Sequence, residues 1–325
     1  MKKFKIILNP VAGHGNGLKL RPAIERLLAD HGLDFDLAQT ECTGHALELT
    51  RQAAAEGYPV IVAAGGDGTI NEVINGLMEV KQAGSPPPAL GILCTGRGND
   101  LAYSLGIPVE LDPACQALAE DRRRWIDVGR VSSSADAQGK TIPLRGVIPQ
   151  GRYFGNCVGI GFDAIGTIEA AKLPRWGGFA SFLVAILKTV FLYNHAPLAA
   201  IEFNGQTITQ RSLMISIMNG RQVGGGGFIM APDSQPDDGL LDLCIAEQMS
   251  SFAVLRMVPY FTKGTQATQP TIKTARTRRV VVAAQDGPLP AHTDGEIICT
   301  EGMRLEVELF QHQIEVIVKK EGPQA

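Results

Sequence analysis

The sequence predicts an α/β N-terminal domain built on a parallel sheet, followed by a mainly antiparallel β domain. Three observations carry that expectation. Short apolar runs alternate with segments of helical periodicity up to about residue 130. Beyond Trp125 strand-like runs follow one another with few helices between them. Three of the early strand-like runs also end in Gly-rich polar loops, and parallel strands would bring those loops to one edge of the sheet.

Taken in order, residues 4–8 are a short apolar strand, 9–17 a turn-rich loop, and 18–29 a helix by the spacing of their apolar positions. A strand is expected over 35–40 and a helix over 46–56. Residues 60–64 are apolar throughout, as in a strand buried on both faces, and after a Gly-rich turn 70–80 read as a helix. A further apolar strand at 90–93 leads to a second Gly-rich turn and a short helix at 100–105. The β-rich part offers strands at 126–131, 152–158, 198–203, 213–218, 241–245, 279–283 and 303–309. Asn204-Gly205 between Phe203 and Gln206 signals a tight hairpin. Helices are expected at 179–193 and 251–261, and a polar loop at 132–140. The domains are therefore set at 1–130 and 131–309, with 310–325 and its strand at 313–318 returning to the first; there is no internal repeat.

The 325 residues suit two domains, and 45% hydrophobic against 19% charged residues supplies a core and argues against disorder. A net charge of −3 without a block of like charges points away from a global attraction to nucleic acid or anionic membrane and leaves a local basic patch open. Cys42, Cys94, Cys115, Cys157, Cys244 and Cys299 are scattered without CxxC spacing, as expected for reduced thiols in a cytoplasmic protein. The N-terminal apolar run is too short for a signal peptide and meets an Asn-Pro turn. The most apolar later stretch, 176–187, falls short of the roughly 18–20 residues a spanning helix needs.

The strongest chemical signal is the segment 60–76, VIVAAGGDGTINEVING. A buried strand runs through Gly65-Gly66-Asp67-Gly68-Thr69 into a helix. Glycines let backbone N–H groups approach a phosphate, and the helix N-terminus adds partial positive charge. Asp67 at the strand end is suited to meet a magnesium ion directly or through water, and Thr69 offers phosphate a hydroxyl. The loop 9–17, NPVAGHGNG, has GxGxG spacing but lacks the full GxGxxG because residue 18 is leucine, and no Walker A pattern is present. A plain turn accounts for this loop equally well. The third turn is Gly96-Arg97-Gly98-Asn99-Asp100. In the β-rich half, Asp237 and Asp238 in APDSQPDDGL offer carboxylates to a metal, although Asp-Asp-Gly is also an ordinary turn. In His292-Thr293-Asp294-Gly295-Glu296 two carboxylates flank a glycine. Either could take the proton of a hydroxyl during phosphoryl transfer, or the motif could be a solvated hairpin.

Together these motifs resemble the catalytic-domain family of diacylglycerol kinases, sphingosine kinases and their bacterial lipid-kinase relatives. The resemblance runs in order over nearly the whole chain: NPVAG, a Thr before GHA, GGDGTINEVINGL, GRGNDLAYSLGIP, IDVG, GIGFDA, APDSQPDDGLLDL and HTDGE. The GGDGT core is shared with NAD kinases and phosphofructokinases; the PDDGLLDL and DGE segments point to the lipid-kinase branch. The resemblance implies an NAD-kinase/phosphofructokinase-like nucleotide domain, a C-terminal β-sandwich, and an active site between them. It implies that Asn9, Pro10, Val11, Ala12, Gly13, Thr40, Gly65, Gly66, Asp67, Gly68, Thr69, Ile70 and Asn71 contact ATP, and that Glu296 is the base with Asp294 beside it. It also implies a structural Mg2+ held by Asp238 and the carbonyls of Gln235 and Leu240, with Asp100 and Asp127 in a polar network under the nucleotide. Two departures stand out: Gly96-Arg97-Gly98 where many relatives have Gly-Thr, so that Arg97 takes the place of a threonine contact, and His14 where Lys or Arg is common.

The implied activity is a magnesium-dependent transfer of phosphate from ATP to a lipid hydroxyl, met reversibly at a membrane surface; a homodimer is left open. A kinase acting on a soluble acceptor such as NAD is the runner-up, disfavoured by the C-terminal motifs. A non-catalytic nucleotide-binding regulator is disfavoured by the presence of Asp67, Asp238 and Glu296. An oxidoreductase would rest on GxGxG alone.

Overall fold

The computed structural model describes residues 3–133, 151–172, 184, 187–190 and 196–319. The chain divides into two compact units. One runs to Asp127 and resumes at Gln311; the other is Val128–Phe310.

The first unit alternates strand and helix: β1 (Lys3–Leu8), α1 (Ala12–Asp30), β2 (Asp34–Gln39), α2 (His45–Ala55), β3 (Val60–Gly65), α3 (Asp67–Gln82), β4 (Ala89–Cys94), α4 (Asp100–Ser104) and α5 (Leu111–Glu120). The strands lie in the order β2-β1-β3-β4, all parallel, with Ile6 opposite Val62 and Val62 opposite Gly91. Every residue of β3 and β4 is buried, which is why their sequences show no alternation. Phe4, Ile6, Leu8, Ile24, Leu28 and Leu93 belong to one core cluster of this unit. Because the strands are parallel, the loops after β1, β3 and β4 leave the same edge.

Strand β5 (Arg123–Ser133) carries the chain onward. The second unit contains β6 (Arg152–Phe154), β7 (Cys157–Gly161), α6 (Phe162–Lys172), β8 (Leu198–Phe203), β9 (Gln206–Met218), β10 (Gln222–Val223), β11 (Phe228–Ile229), β12 (Leu241–Glu247), α7 (Ser251–Lys263), β13 (Ile272–Thr277), β14 (Arg279–Asp286), β15 (Leu289–Thr293) and β16 (Glu296–Gly302). Strand β17 (Arg304–Ile317) returns the chain to the first unit, where Val316 pairs with Leu90 in parallel. Strand pairing within the second unit is antiparallel. The first half of β9 pairs with β8, whereas its second half pairs with β7 and β12, so one long strand passes from one sheet to the next. Ile160, Ile215, Ile217, Leu243, Val282 and Val307 belong to the main core cluster of this unit. Asn204 and Gly205 both have positive φ (50° and 72°) and make the expected two-residue hairpin.

Several elements differ from the sequence expectation. The strand expected over 152–158 is two strands, broken at Gly155-Asn156. The strands expected over 303–309 and 313–318 are one, β17, which runs through Gln311 to Gln313 although His312 there has a positive φ of 49°. α5, α6, β13, β15 and β16 are additions to the expected elements: α5 does carry apolar residues at helical spacing (Leu111, Ala114, Cys115 and Leu118), whereas β13 reads IKTART with half of its side chains exposed, and β15 and β16 are short runs around a turn. The helix expected over 179–193, the apolar stretch 176–187 and the loop 132–140 fall for the most part outside the described residues.

Candidate active site

In the first unit three loops are tied together by side chains the sequence places at strand ends. Asn9, just after β1, donates from its side-chain amide to Thr69 Oγ1 (2.9 Å), and its Oδ1 accepts from the Val11 N–H (3.1 Å). The first loop is thereby fastened to the opening turn of α3. Gly13, His14 and Gly15 all have positive φ (58°, 63° and 85°), so the chain makes a left-handed turn before α1 proper begins. The expected ATP contacts Asn9 to Gly13 and Gly65 to Asn71 therefore lie on adjoining loops, where the first N–H groups of α3 lack intrahelical partners. Thr40 is half-buried, and its N–H bonds the Leu8 carbonyl (2.9 Å) at the same edge.

Asp67 is the link to the third loop. Its Oδ2 accepts from the Asn99 N–H and its Oδ1 from the Asp100 N–H, both at 2.7 Å. Asn99 has positive φ (58°) and Asp100 opens α4, so the carboxylate of one loop caps the helix of another. A Cβ at Gly98 would lie 2.2 Å from Asp67 Oδ2, which explains a glycine at that position and leaves the exposed Arg97 at the turn's outer point. Burial, helped by the charge of Asp67, pushes the Cys94 thiol just below this turn up to about 12, so it stays protonated. The sequence reading missed Glu72. Its two oxygens accept from Gly44 N–H (2.8 Å) and Ala46 N–H (3.0 Å) and fix the start of α2 beside α3. Asp127 is fully buried, and its Oδ1 accepts the His312 N–H (2.8 Å) where the chain returns.

In the second unit the motif His292 to Glu296 forms a hairpin between β15 and β16. Asp294 and Gly295 are its two turn residues, both with positive φ (46° and 82°), and Thr293 pairs with Glu296. The two carboxylates are placed very differently. Asp294 is buried: its Oδ1 accepts from Asn156 N–H (3.0 Å) and Cys157 N–H (2.9 Å), and its Oδ2 from Gly155 N–H (3.0 Å). That explains the break between β6 and β7, because the chain there wraps around a carboxylate. Glu296 is exposed at the first position of β16.

Beneath the turn lies a pair the sequence reading did not single out. His292 is 3% exposed and its Nδ1 accepts the Gly295 N–H (3.3 Å), while its Nε2 stands 3.4 Å from Asp163 Oδ2 at the start of α6. His292 sits opposite Gly159 on β7, where a Cβ would come within 2.4 Å of both groups. The glycine in GIGFDA is the one available sequence signal for that pair. Asp163 also borders an apolar cleft of about 670 Å³, counting the part open to solvent, walled by Phe162, Met214, Phe228, Met257 and Phe261.

The loop expected to hold a structural magnesium is held by hydrogen bonds and an ion pair. Asp238 Oδ1 accepts the Leu240 N–H (3.0 Å), its Oδ2 pairs with Arg276 Nη2, and the Gln235 carbonyl accepts the Asp238 N–H (3.4 Å). Arg276 Nε also lies 3.2 Å from Asp242, whose carboxyl burial holds above the ordinary range in spite of that cation. No group of three or more His, Cys, Asp or Glu side chains converges among the described residues. In this structure the cation paired with Asp238 is the Arg276 guanidinium, while the expected magnesium shell rests on one carboxylate and the carbonyls of Gln235 and Leu240. EDTA is accordingly expected to leave the melting temperature unchanged, and Arg276→Ala to make it rise on adding magnesium. Calorimetric melts of both proteins with and without the metal check this; an EDTA-induced drop in the unaltered protein would restore the metal.

A Gly-rich strand–helix turn at the carboxyl edge of a parallel sheet is a place suited to phosphate, and the chain carries it together with a second, antiparallel unit. Residues 3–131 match the diacylglycerol kinase catalytic domain, and residues 156–318 match the YegS C-terminal NAD kinase beta sandwich-like domain. The chain belongs to the diacylglycerol kinase family of lipid kinases. It is 28% identical to the diacylglycerol kinase of Bacillus subtilis (strain 168), over 99% of this chain and 98% of that one. It is 34% identical to the Yersinia enterocolitica protein named "Probable lipid kinase YegS-like", over 71% of each. The fold is also that of a diacylglycerol kinase crystal structure from Bacillus anthracis str. Sterne (TM-score 0.73, 23% identity, covering 99% and 98% of the two chains). An NAD kinase from Archaeoglobus fulgidus solved with ATP is a more distant fold relative (TM-score 0.50, 12% identity, covering 98% and 94%).

Proposed function

We propose that the enzyme transfers the γ-phosphate of magnesium-ATP to the hydroxyl of diacylglycerol or a related lipid, with Glu296 as general base. The first unit would hold the nucleotide through Asn9 to Gly13, Thr40 and Gly65 to Asn71, with Arg97 and Asp100 on the third loop. Magnesium arrives with ATP as part of the substrate. The second unit, proposed here as the lipid-substrate domain, would take the acceptor. Asp294 is read as a positioning residue, because its carboxylate is taken up by three backbone N–H groups.

The observation that supports a lipid over a soluble acceptor is the apolar cleft. Its wall is almost wholly hydrocarbon and sulfur, with Asp163 as the charged exception, and Asp163 leads through His292 to the turn of Glu296. Such a wall suits an acyl chain better than the polar body of NAD. No helix among the described residues is long and apolar enough to cross a membrane. The test is transfer of ³²P from ATP to mixed-micelle diacylglycerol, phosphatidylglycerol, a sphingoid base and NAD. Labelled lipid is the expected product; label in NAD alone would overturn the reading.

A further inference from the structure

We propose that α7 is the face on which the enzyme docks to an anionic bilayer; this rests on the lipid-acceptor reading above. The helix is locally well defined. Ser250 Oγ accepts the Ala253 N–H (3.3 Å) at its start, and Gly264 with φ 69° ends it. At about 100° per residue, Val254, Met257, Val258 and Phe261 share one side, and these residues line the apolar cleft. Phe252, Arg256, Tyr260 and Lys263 fall within an arc of about 80° on the opposite side. That outer side should be polar in a helix facing only water. Instead it carries Phe252, 66% exposed, and Tyr260, 37% exposed. The two cations alternate with them, and the Arg256 guanidinium lies 4.6 Å from the centroid of the Phe252 ring.

The charge pattern selects the occupant. α7 has no carboxylate, so its outer side presents two cations and two aromatic rings to whatever meets it. A surface of negative headgroups over hydrocarbon satisfies both at once: the rings enter the headgroup boundary and the cations stay with the phosphates. The same helix then has the bilayer on one side and the acyl cleft on the other, which places the lipid's source beside its binding wall.

Vesicle sedimentation with the full-length protein, without ATP, tests the proposal. The unaltered protein should bind vesicles of phosphatidylcholine containing phosphatidylglycerol more tightly than phosphatidylcholine alone. The double variant Arg256→Gln/Lys263→Gln should lose roughly 25-fold in binding to the anionic vesicles, about fivefold per cation, and little on neutral ones. Phe252→Ala/Tyr260→Ala should lose about tenfold or more on anionic vesicles. All variants should keep the unaltered melting temperature and, toward a monomeric short-chain diacylglycerol, the unaltered rate. An unaltered protein that ignores both vesicles, or variants that bind as it does, overturns the docking face and leaves that side of α7 to a protein partner. If vesicle binding follows the predicted order but no diacylglycerol is phosphorylated, the acceptor reading fails while the docking face stands.

Discussion

Glu296→Gln is expected to lower kcat by about 10²–10⁴-fold, the usual worth of a general base, with the KM for ATP nearly unchanged. An alcohol is far too weak an acid to be ionised at neutral pH, so its proton must leave as the new P–O bond forms. In a loose transition state the base mainly orients the hydroxyl and takes the proton late. Glutamine keeps the size and the hydrogen bond but cannot accept that proton. The geometry separates this change from one at Asp294. Glu296 is exposed and begins a strand, so the substitution should leave the fold alone. Asp294 accepts three backbone N–H groups, and an amide offers them one oxygen and an opposed NH2. Hydrogen bonds to a charged group contribute about 1.5–3 kcal/mol each, so Asp294→Asn should lower the melting temperature clearly and reduce kcat by less than Glu296→Gln. Single-turnover kinetics, where chemistry limits the rate, is the deciding measurement. A wild-type rate constant for Glu296→Gln there would move the base to another residue.

The contrast between these two carboxylates shows where the sequence could be read and where it could not. HTDGE announces a turn with acids beside it, and the α/β character of the first unit follows from apolar runs alternating with helical periodicity. The three Gly-rich loops could be placed at one sheet edge because parallel strands oblige it. What the sequence does not carry is the partner of each polar group. Asp294 meets the segment Gly155 to Cys157, Glu72 meets Gly44 and Ala46, and His292 meets Asp163. Each contact joins segments far apart in the chain, and the residues involved look like ordinary turn or helix residues locally. The PDDGL loop shows the same limit. Asp238 was legible as a carboxylate in a turn, but Arg276 comes from another strand, and nothing near Asp238 announces it.

Asp67→Asn is expected to lower kcat/KM for ATP by on the order of 10²-fold or more, with the parallel sheet intact. Two charge-assisted hydrogen bonds hold the third loop to Asp67, at 2.7 Å each. At about 1.5–3 kcal/mol apiece, losing one outright and weakening the other is worth one to three powers of ten. An asparagine turns one of its two positions from acceptor to donor and sets an NH2 group against the N–H of Asn99 or Asp100. The loop must then move, and with it Arg97 and Asp100. Asp67→Glu should fare no better, because the space beside the carboxylate is already limited by Gly98, whose missing Cβ would overlap Asp67 Oδ2. The sheet itself is independent of this contact: β3 and β4 are buried along their whole length, and their pairing from Val60 to Gly65 does not involve the side chain. Far-ultraviolet circular dichroism should therefore be unchanged while nucleotide affinity, measured by calorimetry, falls. Raising magnesium separates two roles for the carboxylate. If Asp67 chiefly positions the loop, as its two N–H partners favour, excess metal will not restore the variant. Recovery at high magnesium would show instead that the lost interaction was with the metal of the nucleotide.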